Sequence, residues 1–152
     1  MKTILVQGAF DILNWGHIQV FKYLKERGQY LIVALNSDEL YKDYKNRRAT
    51  LPFQQKKEIL ESIRYVDQVV QADNFSPLQL LQDYAIDAYA VADEWLHTKE
   101  EEIAFMKSKG KEIIVLPRFK GVISTSQMKQ NVIDEYEYYK TSGNKPKSAS
   151  DY

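Results

Sequence analysis

The chain has 152 residues, which is long enough for one domain with a well-buried core. Its 21 lysines and arginines balance 21 aspartates and glutamates, and a net charge of zero argues against nucleic acid or an anionic membrane as the main partner. The lack of cysteine excludes disulfides and thiolate metal sites. The N-terminus has no signal-peptide pattern and no apolar run approaches the length of a membrane span, so we expect a cytoplasmic protein.

Short apolar runs alternate with amphipathic segments along the chain. The apolar runs predict five strands, at Lys2–Gln7, Tyr30–Leu35, Val66–Gln71, Ala88–Ala92 and Glu112–Leu116. The amphipathic segments predict five helices, which run from Asn14 to Arg27, Gln54 to Tyr65, Ser76 to Tyr84, Lys99 to Lys109 and Ser124 to Lys140. Ser37 predicts the cap of a short helical turn, and the polar, basic segment 41–52 predicts a loop.

The predicted strands are apolar along their whole length, as strands covered on both faces must be. Their alternation with helices predicts an α/β, Rossmann-like fold that is doubly wound around a five-stranded parallel sheet, with helices on both faces. We predict one domain over residues 1–140 and a polar, disordered tail over residues 141–152. Ligands of such sheets bind beyond the carboxyl ends of the strands. Three chemically rich loops lie there: Gly8–His17, Ala92–His97 and Pro117–Ser126.

The first of these loops, "GAFDILNWGHI", indicates an anion site at the start of a helix. Gly8 lets the backbone approach a ligand, and the helix that begins after Asn14 offers free N–H groups and a positive dipole end to a phosphate. His17 adds an imidazole donor at the same place. In the alternative interpretation Asn14 is only a helix cap, Gly16 allows close packing and Trp15 fills a gap in the core.

The third loop, "RFKGVISTSQ", has the composition of a polyphosphate site. Arg118 and Lys120 precede a glycine, and the hydroxyls of Ser124, Thr125 and Ser126 stand at a second helix N-terminus. Helix capping alone explains one hydroxyl but not the two flanking cations. Neither loop contains GxGxxG or GxxxxGK[ST], so the sequence has neither the dinucleotide-binding fingerprint nor a P-loop.

Four segments in this order and spacing, "GAFDILNWGHI", "RYVDQVV", "ADEWL" and "PRFKGVISTS", resemble the HxGH nucleotidyltransferases, in particular the small bacterial cytidylyltransferases of the glycerol-3-phosphate type. The similarity covers most of the chain. It implies transfer of CMP from CTP to a phosphorylated alcohol, such as glycerol-3-phosphate or a related polyol or sugar phosphate. Pyrophosphate and a CDP-alcohol are the products. The resemblance also implies Mg²⁺ bound with CTP, a homodimer, and a place in the synthesis of cell-wall or capsule precursors.

The resemblance further implies roles for individual residues. Those expected at the reacting phosphates are Asn14, His17, Asp11, Arg118 and Lys45, with Arg47 as the alternative to Lys45. Those expected to bind the nucleotide are Gly8, Ala9, Phe10, Gly16, Arg64, Ala92, Asp93, Trp95, Ser124, Thr125 and Ser126. No metal site built from protein ligands alone is visible in the sequence, so Mg²⁺ would arrive on the triphosphate, with help from Asp11.

The sequence departs from the family pattern at five places. Asn14 replaces the first histidine of HxGH, Lys56 stands where an arginine is expected, and Ala92 replaces a glycine. Leu78 replaces a lysine expected at the acceptor, and "GVIST" is one residue longer than "GIST". Because the triphosphate end is retained and the acceptor end is altered, the pattern favours a transferase with a different acceptor. The alternatives are a catalytically weak CTP-binding relative with a regulatory or structural role, and an unrelated Rossmann-like binding module.

Overall fold

The computed structural model describes residues 1–151. Its strands, numbered β1 to β5, span Thr3–Gly8, Tyr30–Asn36, Gln68–Ala72, Ala88–Ala92 and Glu112–Leu116. Its helices, numbered α1 to α6, span Trp15–Lys25, Asp38–Lys45, Phe53–Glu61, Leu78–Asp83, Glu100–Ser108 and Thr125–Ser142. Two 3₁₀ turns cover Asp93–Thr98 and Ala149–Asp151.

All five strands run parallel in the order β3-β2-β1-β4-β5. The strand order reverses between β1 and β4, where Val6 lies opposite Ala90. A crevice opens beyond the carboxyl ends of the strands at such a reversal, and ligands of doubly wound proteins bind there. The predicted fold class is therefore confirmed, and the β1 and β4 loops begin at the reversal.

Alternate strand residues face two separate layers of helices. Val6 packs with Phe21 of α1 and Leu60 of α3 on one face of the sheet. Leu5 packs with Leu81 of α4 on the other face, which α5 also covers. All five side chains are at most 4% exposed. Burial on both faces explains why the strands are apolar throughout.

Several predicted boundaries differ from the structure by two or more residues. The short turn after Ser37 is helix α2, which takes up part of the predicted loop 41–52 because Leu40 and Tyr41 are buried and Ser37 Oγ accepts the Leu40 N–H at 3.2 Å. Helix α3 ends at Glu61, four residues early, and β3 starts at Gln68, two residues late. The 3₁₀ turn at Asp93–Thr98 was not expected.

Helix α6 is the least embedded part of the domain, because none of its 18 residues is buried. It ends two residues beyond the predicted boundary, and Gly143, at a φ of 72°, provides its left-handed cap. The predicted disorder of residues 141–152 stays a prediction, and Tyr152 lies outside the described residues. Across residues 1–151 no helix combines the length and apolar character that crossing a bilayer requires.

Candidate active site

A cavity of about 280 Å³ opens at the carboxyl edge of the sheet where the strand order reverses. Five of the predicted site residues line it: Gly8, Ala9, Lys45, Ala92 and Trp95. Other lining residues were not predicted, namely Gln7, Asn36, Tyr44, Phe75 and Lys99. The cavity is the place where the loops after β1 and β4 meet, as the fold class requires.

Asn14 connects the N-termini of two helices. Its Oδ1 accepts the Gly16 N–H at 2.9 Å, which caps α1. Its Nδ2 donates to the carbonyl of Ile12 and to the hydroxyl of Thr125, both at 3.2 Å. Thr125 is the first residue of α6, so the first turns of α1 and α6 lie side by side. Two adjacent helix N-termini offer N–H groups and positive dipole ends to one anion.

His17 is held in a single orientation within the first turn of α1. Its Nδ1 accepts the backbone N–H of Asn14 at 3.2 Å, which leaves the proton of the neutral ring on Nε2. The ring of Phe10 meets it edge-on, with centroids 5.3 Å apart. Burial lowers the pKa of His17 below its ordinary value. His17 is therefore a neutral Nε2–H donor near pH 7.

Gly16 and Gly8 are glycines for steric reasons. A Cβ on Gly16 would lie 2.5 Å from Cγ1 of Val122, and one on Gly8 would lie 2.9 Å from the ring of Phe10. Val122 belongs to the lengthened "GVIST" segment, so this departure from the family pattern packs directly on the HxGH glycine. Phe10 itself has a φ of 43°, a left-handed conformation that costs a non-glycine residue roughly 1–3 kcal/mol.

The carboxylate of Asp11 holds the loop between α2 and α3. Its Oδ1 accepts the Thr50 N–H at 2.7 Å, and its Oδ2 accepts the Tyr41 hydroxyl at 3.2 Å and faces Lys129 Nζ at 3.5 Å. Burial raises the pKa of Asp11, but hydrogen bonds from Thr50, Leu51 and Tyr41 together bring it below the ordinary value. These contacts give Asp11 a structural role in holding the loop. Its predicted role beside the reacting phosphates stays a proposal.

Lys56 was noted in the sequence only as a departure from the family, yet it reaches the β1 loop. The side chain is fully buried, and Nζ donates to the carbonyl of Ala9 at 3.2 Å. Burial lowers its pKa, while the charges of Asp11 and Asp38 raise it. Its place four residues before Leu60, on the buried face of α3, was the signal that this lysine points inward.

Lys45 and Arg47, the two alternatives in the basic segment, occupy different places. Lys45 lines the cavity, with Nζ 5.5 Å from the ring centre of Tyr44. Arg47 lies over the ring of Tyr41 and borders a groove against α6. Of these two residues, the geometry therefore favours Lys45, which lines the cavity.

The remaining predicted site residues lie on the β4 and β5 loops and at the start of α6, except for Arg64, which lies after α3. Arg118 reaches Asp93 across the β4 and β5 loops, with Nη2 3.5 Å from Oδ1 and both side chains exposed. Ser124 caps α6 by accepting the Gln127 N–H, and Ser126 is exposed in its first turn. Arg64 is exposed after α3 and stacks on its neighbour Tyr65, so the described residues give it no contact with the site. Trp15, offered as a core residue in the alternative interpretation, is 56% exposed.

The described residues contain no group of three or more histidine, cysteine, aspartate or glutamate side chains placed to hold a metal ion. The carboxylate of Asp11 is already occupied by hydrogen bonds and by Lys129.

Comparison with known proteins identifies the family of the chain. The model of the cytidylyltransferase-like family matches residues 5–145. Glycerol-3-phosphate cytidylyltransferase of Bacillus subtilis is 37% identical over 133 residues, which cover 87% of this chain and 98% of the relative. The enzyme of the same name from Staphylococcus aureus is 35% identical and covers 87% and 96%. A lipopolysaccharide core biosynthesis protein from Thermoplasma volcanium shares the fold, with a TM-score of 0.66, 18% identity, and coverage of 78% of this chain and 99% of that one. The chain belongs to the cytidylyltransferase-like family.

Proposed function

We propose that this protein is a cytidylyltransferase that transfers CMP from CTP to a phosphorylated alcohol. The relatives that match nearly their whole length are named glycerol-3-phosphate cytidylyltransferases, and that phosphate is the first acceptor to consider. The observation that carries the proposal is the hydrogen bond from Asn14 to Thr125, which sets two helix N-termini side by side near His17. That arrangement suits a triphosphate better than a single carboxylate.

The reaction is an in-line displacement at phosphorus. An oxygen of the acceptor phosphate forms a bond to the α-phosphorus of CTP, and the bond from that phosphorus to the bridging oxygen breaks as pyrophosphate leaves. The nucleophile is already anionic, so no strong general base is needed. The chain supplies alignment and compensates negative charge: His17 donates from Nε2, Arg118 supplies a cation, and the first turns of α1 and α6 supply N–H groups.

Asn14 takes part chiefly as a positioning residue. Both polar ends of its side chain are engaged, since Oδ1 caps α1 and Nδ2 bonds Ile12 and Thr125. An asparagine here cannot add positive charge as a histidine can. This supports a second candidate, a relative that binds CTP and turns it over slowly. Turnover that rises in Asn14→His identifies the slowed enzyme, and turnover that falls from a brisk wild-type rate shows that asparagine is the tuned choice.

The other expectations from the resemblance enter as parts of the proposal. Mg²⁺ would be bound by the triphosphate of CTP and would compensate negative charge on the phosphates. The exposed apolar side chains of α6, namely Val132, Ile133 and Tyr136, support a homodimer because a helix with no buried residue gains stability from a partner. The cytoplasm is the proposed location because it holds the CTP pool, and the proposed pathway is precursor synthesis for cell wall or capsule.

Pyrophosphate release from a matrix of nucleotides and acceptors tests the function. CTP, ATP, GTP and UTP are each combined with glycerol-3-phosphate, other polyol phosphates and sugar phosphates, in the presence of Mg²⁺. The proposal expects release that requires both CTP and one acceptor, with a CDP-alcohol as the second product. Release that is independent of the acceptor, or equal for all four nucleotides, contradicts it.

A further inference from the structure

Lys99 is a buried lysine with few partners in the wall of the cavity. The residue is 5% exposed, and Nζ donates to the carbonyl of Phe75 at 2.6 Å. The same ammonium lies 3.9 Å from the ring centre of Phe75. Within residues 1–151 no carboxylate lies within 4.0 Å of it. Burial lowers the pKa of Lys99, and the charge of the buried Glu102 carboxylate, which lies beyond hydrogen-bonding distance in the first turn of α5, raises it. An ammonium has three N–H donors, and the carbonyl of Phe75 accepts from only one of them.

Lys99 lies on the opposite side of the sheet from the helix that carries His17. The ring of Phe10, which contacts His17, belongs to the core layer of α1 and α3. The cavity wall near Lys99 includes Tyr89 and Val91, which belong to the layer covered by α4 and α5. Lys99 can therefore bind a ligand that enters from the α4 and α5 side of the sheet, whereas His17 lies on the α1 side.

The rest of that wall suits the body of a phosphorylated polyol or sugar. The rings of Tyr44, Phe75 and Trp95 form a continuous chain, with centroids 6.2 Å and 5.7 Å apart. The amide of Gln7 donates to Asn36 Oδ1 at 2.9 Å, which gives the wall polar groups that match hydroxyls. Gln7 Oε1 is buried without a donor among the described residues, and an acceptor hydroxyl is a group that supplies one.

We propose that Lys99 binds the phosphate of the acceptor alcohol, in the space between Phe75, Gln7 and Lys45. This inference rests on the proposed function, because it assigns the second of the two phosphate groups that a cytidylyltransferase brings together. It also accounts for Leu78: the lysine that the family pattern expects after β3 is absent, and a lysine between β4 and α5 supplies the positive charge instead.

Three variants separate binding from a structural role. Lys99→Met removes the charge and keeps the apolar stem, Lys99→Gln keeps a donor for the Phe75 carbonyl, and Lys107→Met removes an exposed lysine of the same α5. We expect both Lys99 variants to raise KM for glycerol-3-phosphate at least about tenfold, the loss expected for a charge-assisted contact, with KM for CTP unchanged. Lys107→Met should keep both constants at the wild-type value.

Other outcomes are decisive as well. If Lys99→Gln restores the wild-type KM, the lysine only fastens the Phe75 loop and the inference is wrong. A rise in KM for CTP alone moves Lys99 to the nucleotide side and also overturns it. If the wild type shows no turnover with any acceptor, the proposed function fails, and titration calorimetry with glycerol-3-phosphate then tests the site by itself. Binding that Lys99→Met abolishes and Lys107→Met retains supports a phosphate site, whereas equal or absent binding refutes it.

Thermal melting of the same variants guards against misfolding. Removing the charge of Lys99 leaves the buried carboxylate of Glu102 without its positive neighbour, which destabilises a folded protein. We therefore expect a lower melting temperature for Lys99→Met than for the wild type, and KM is measured well below that temperature, where the variant is folded. If Lys99→Met is folded and has the wild-type KM for the acceptor, Lys99 does not bind the acceptor phosphate.

Discussion

Asn14 Nδ2 and Thr125 Oγ1, 111 positions apart in the sequence, lie 3.2 Å from each other and join the first turns of α1 and α6. Asn14 and Ser124 each cap one of these helices and accept one of its N–H groups, so the other N–H groups of the first turns are open to a ligand. The contact between Asn14 and Thr125 holds the two helix N-termini beside each other, where both can bind one anion.

The variant Asn14→Asp separates capping from alignment. Aspartate caps helices as well as asparagine does, so we expect a melting temperature close to that of the wild type. It loses the donor to Thr125 and adds a negative charge near bound phosphates, so turnover should fall at least tenfold. Asn14→Ala should lose turnover and also about 1 kcal/mol of stability. Wild-type turnover in Asn14→Asp would show that the contact with Thr125 is irrelevant to the reaction.

The half-buried imidazole of His17 predicts a dependence of stability on pH. Burial holds its folded-state pKa below the ordinary value of 6.5, so between these two pKa values the unfolded chain binds the proton and the folded chain does not. The contribution is fully present above pH 6.5 and is lost as the pH falls toward the folded-state pKa. Unfolding by denaturant from pH 8 to pH 5.5 should show this loss.

Two variants check the assignment to His17. His17→Gln keeps an acceptor for the Asn14 N–H and has no titrating ring, so its stability curve should be flatter over the same range. His97→Gln, on the exposed turn after β4, is the matched control and should keep the wild-type slope. If His17→Gln keeps that slope too, the ring of His17 does not titrate as described.

The five strands and the position of the three loops could be predicted from the sequence, whereas the burial of Lys99 could not. Continuous apolar runs predict buried parallel strands, and the rule for such sheets then places the β1, β4 and β5 loops at one edge. The resemblance added the site residues near Asn14 and His17. Lys99 was missed because its burial depends on Phe75, a residue distant in the sequence, and a lysine before an acidic run has the pattern of an exposed residue.

Helix α2 was missed in part for a related reason. The segment 41–45 is mostly polar, and its propensity alone favours a loop. Tyr41 is nonetheless 2% exposed, because its hydroxyl bonds Asp11 and its ring packs beside Tyr44. Tertiary contacts of this kind override local helix propensity, and they cannot be predicted from the local sequence pattern.

Gly16 and Val122 should behave as a coupled pair. A methyl group on Gly16 would lie 2.5 Å from Cγ1 of Val122, so Gly16→Ala must displace the β5 loop and weaken CTP binding. Val122→Ala removes the obstructing methyl groups and should restore part of the affinity in the double variant. Titration calorimetry of the wild type, both single variants and the double variant measures the coupling. Strictly additive losses would mean that the two residues do not share a contact in solution.

We expect Arg118 to leave its exposed ion pair with Asp93 and to bind the triphosphate of CTP more strongly. The two side chains are 80% and 51% exposed, and a surface ion pair of this kind contributes little to stability. Arg118→Ala should weaken CTP binding about ten- to a hundredfold and leave the melting temperature unchanged. Arg27→Ala, beyond the far end of α1, is the matched control. Equal CTP affinity in the two variants would remove Arg118 from the site.

Pyrophosphate release at saturating CTP and glycerol-3-phosphate by the wild type, His17→Ala and Arg27→Ala tests whether the loop after β1 is catalytic. We expect release by the wild type and by Arg27→Ala, and a loss of about 10²–10³-fold in His17→Ala, because one transition-state donor is removed. A rate in His17→Ala equal to that of Arg27→Ala would contradict it, because the loop from Gly8 to Ile18 would then not be the catalytic loop.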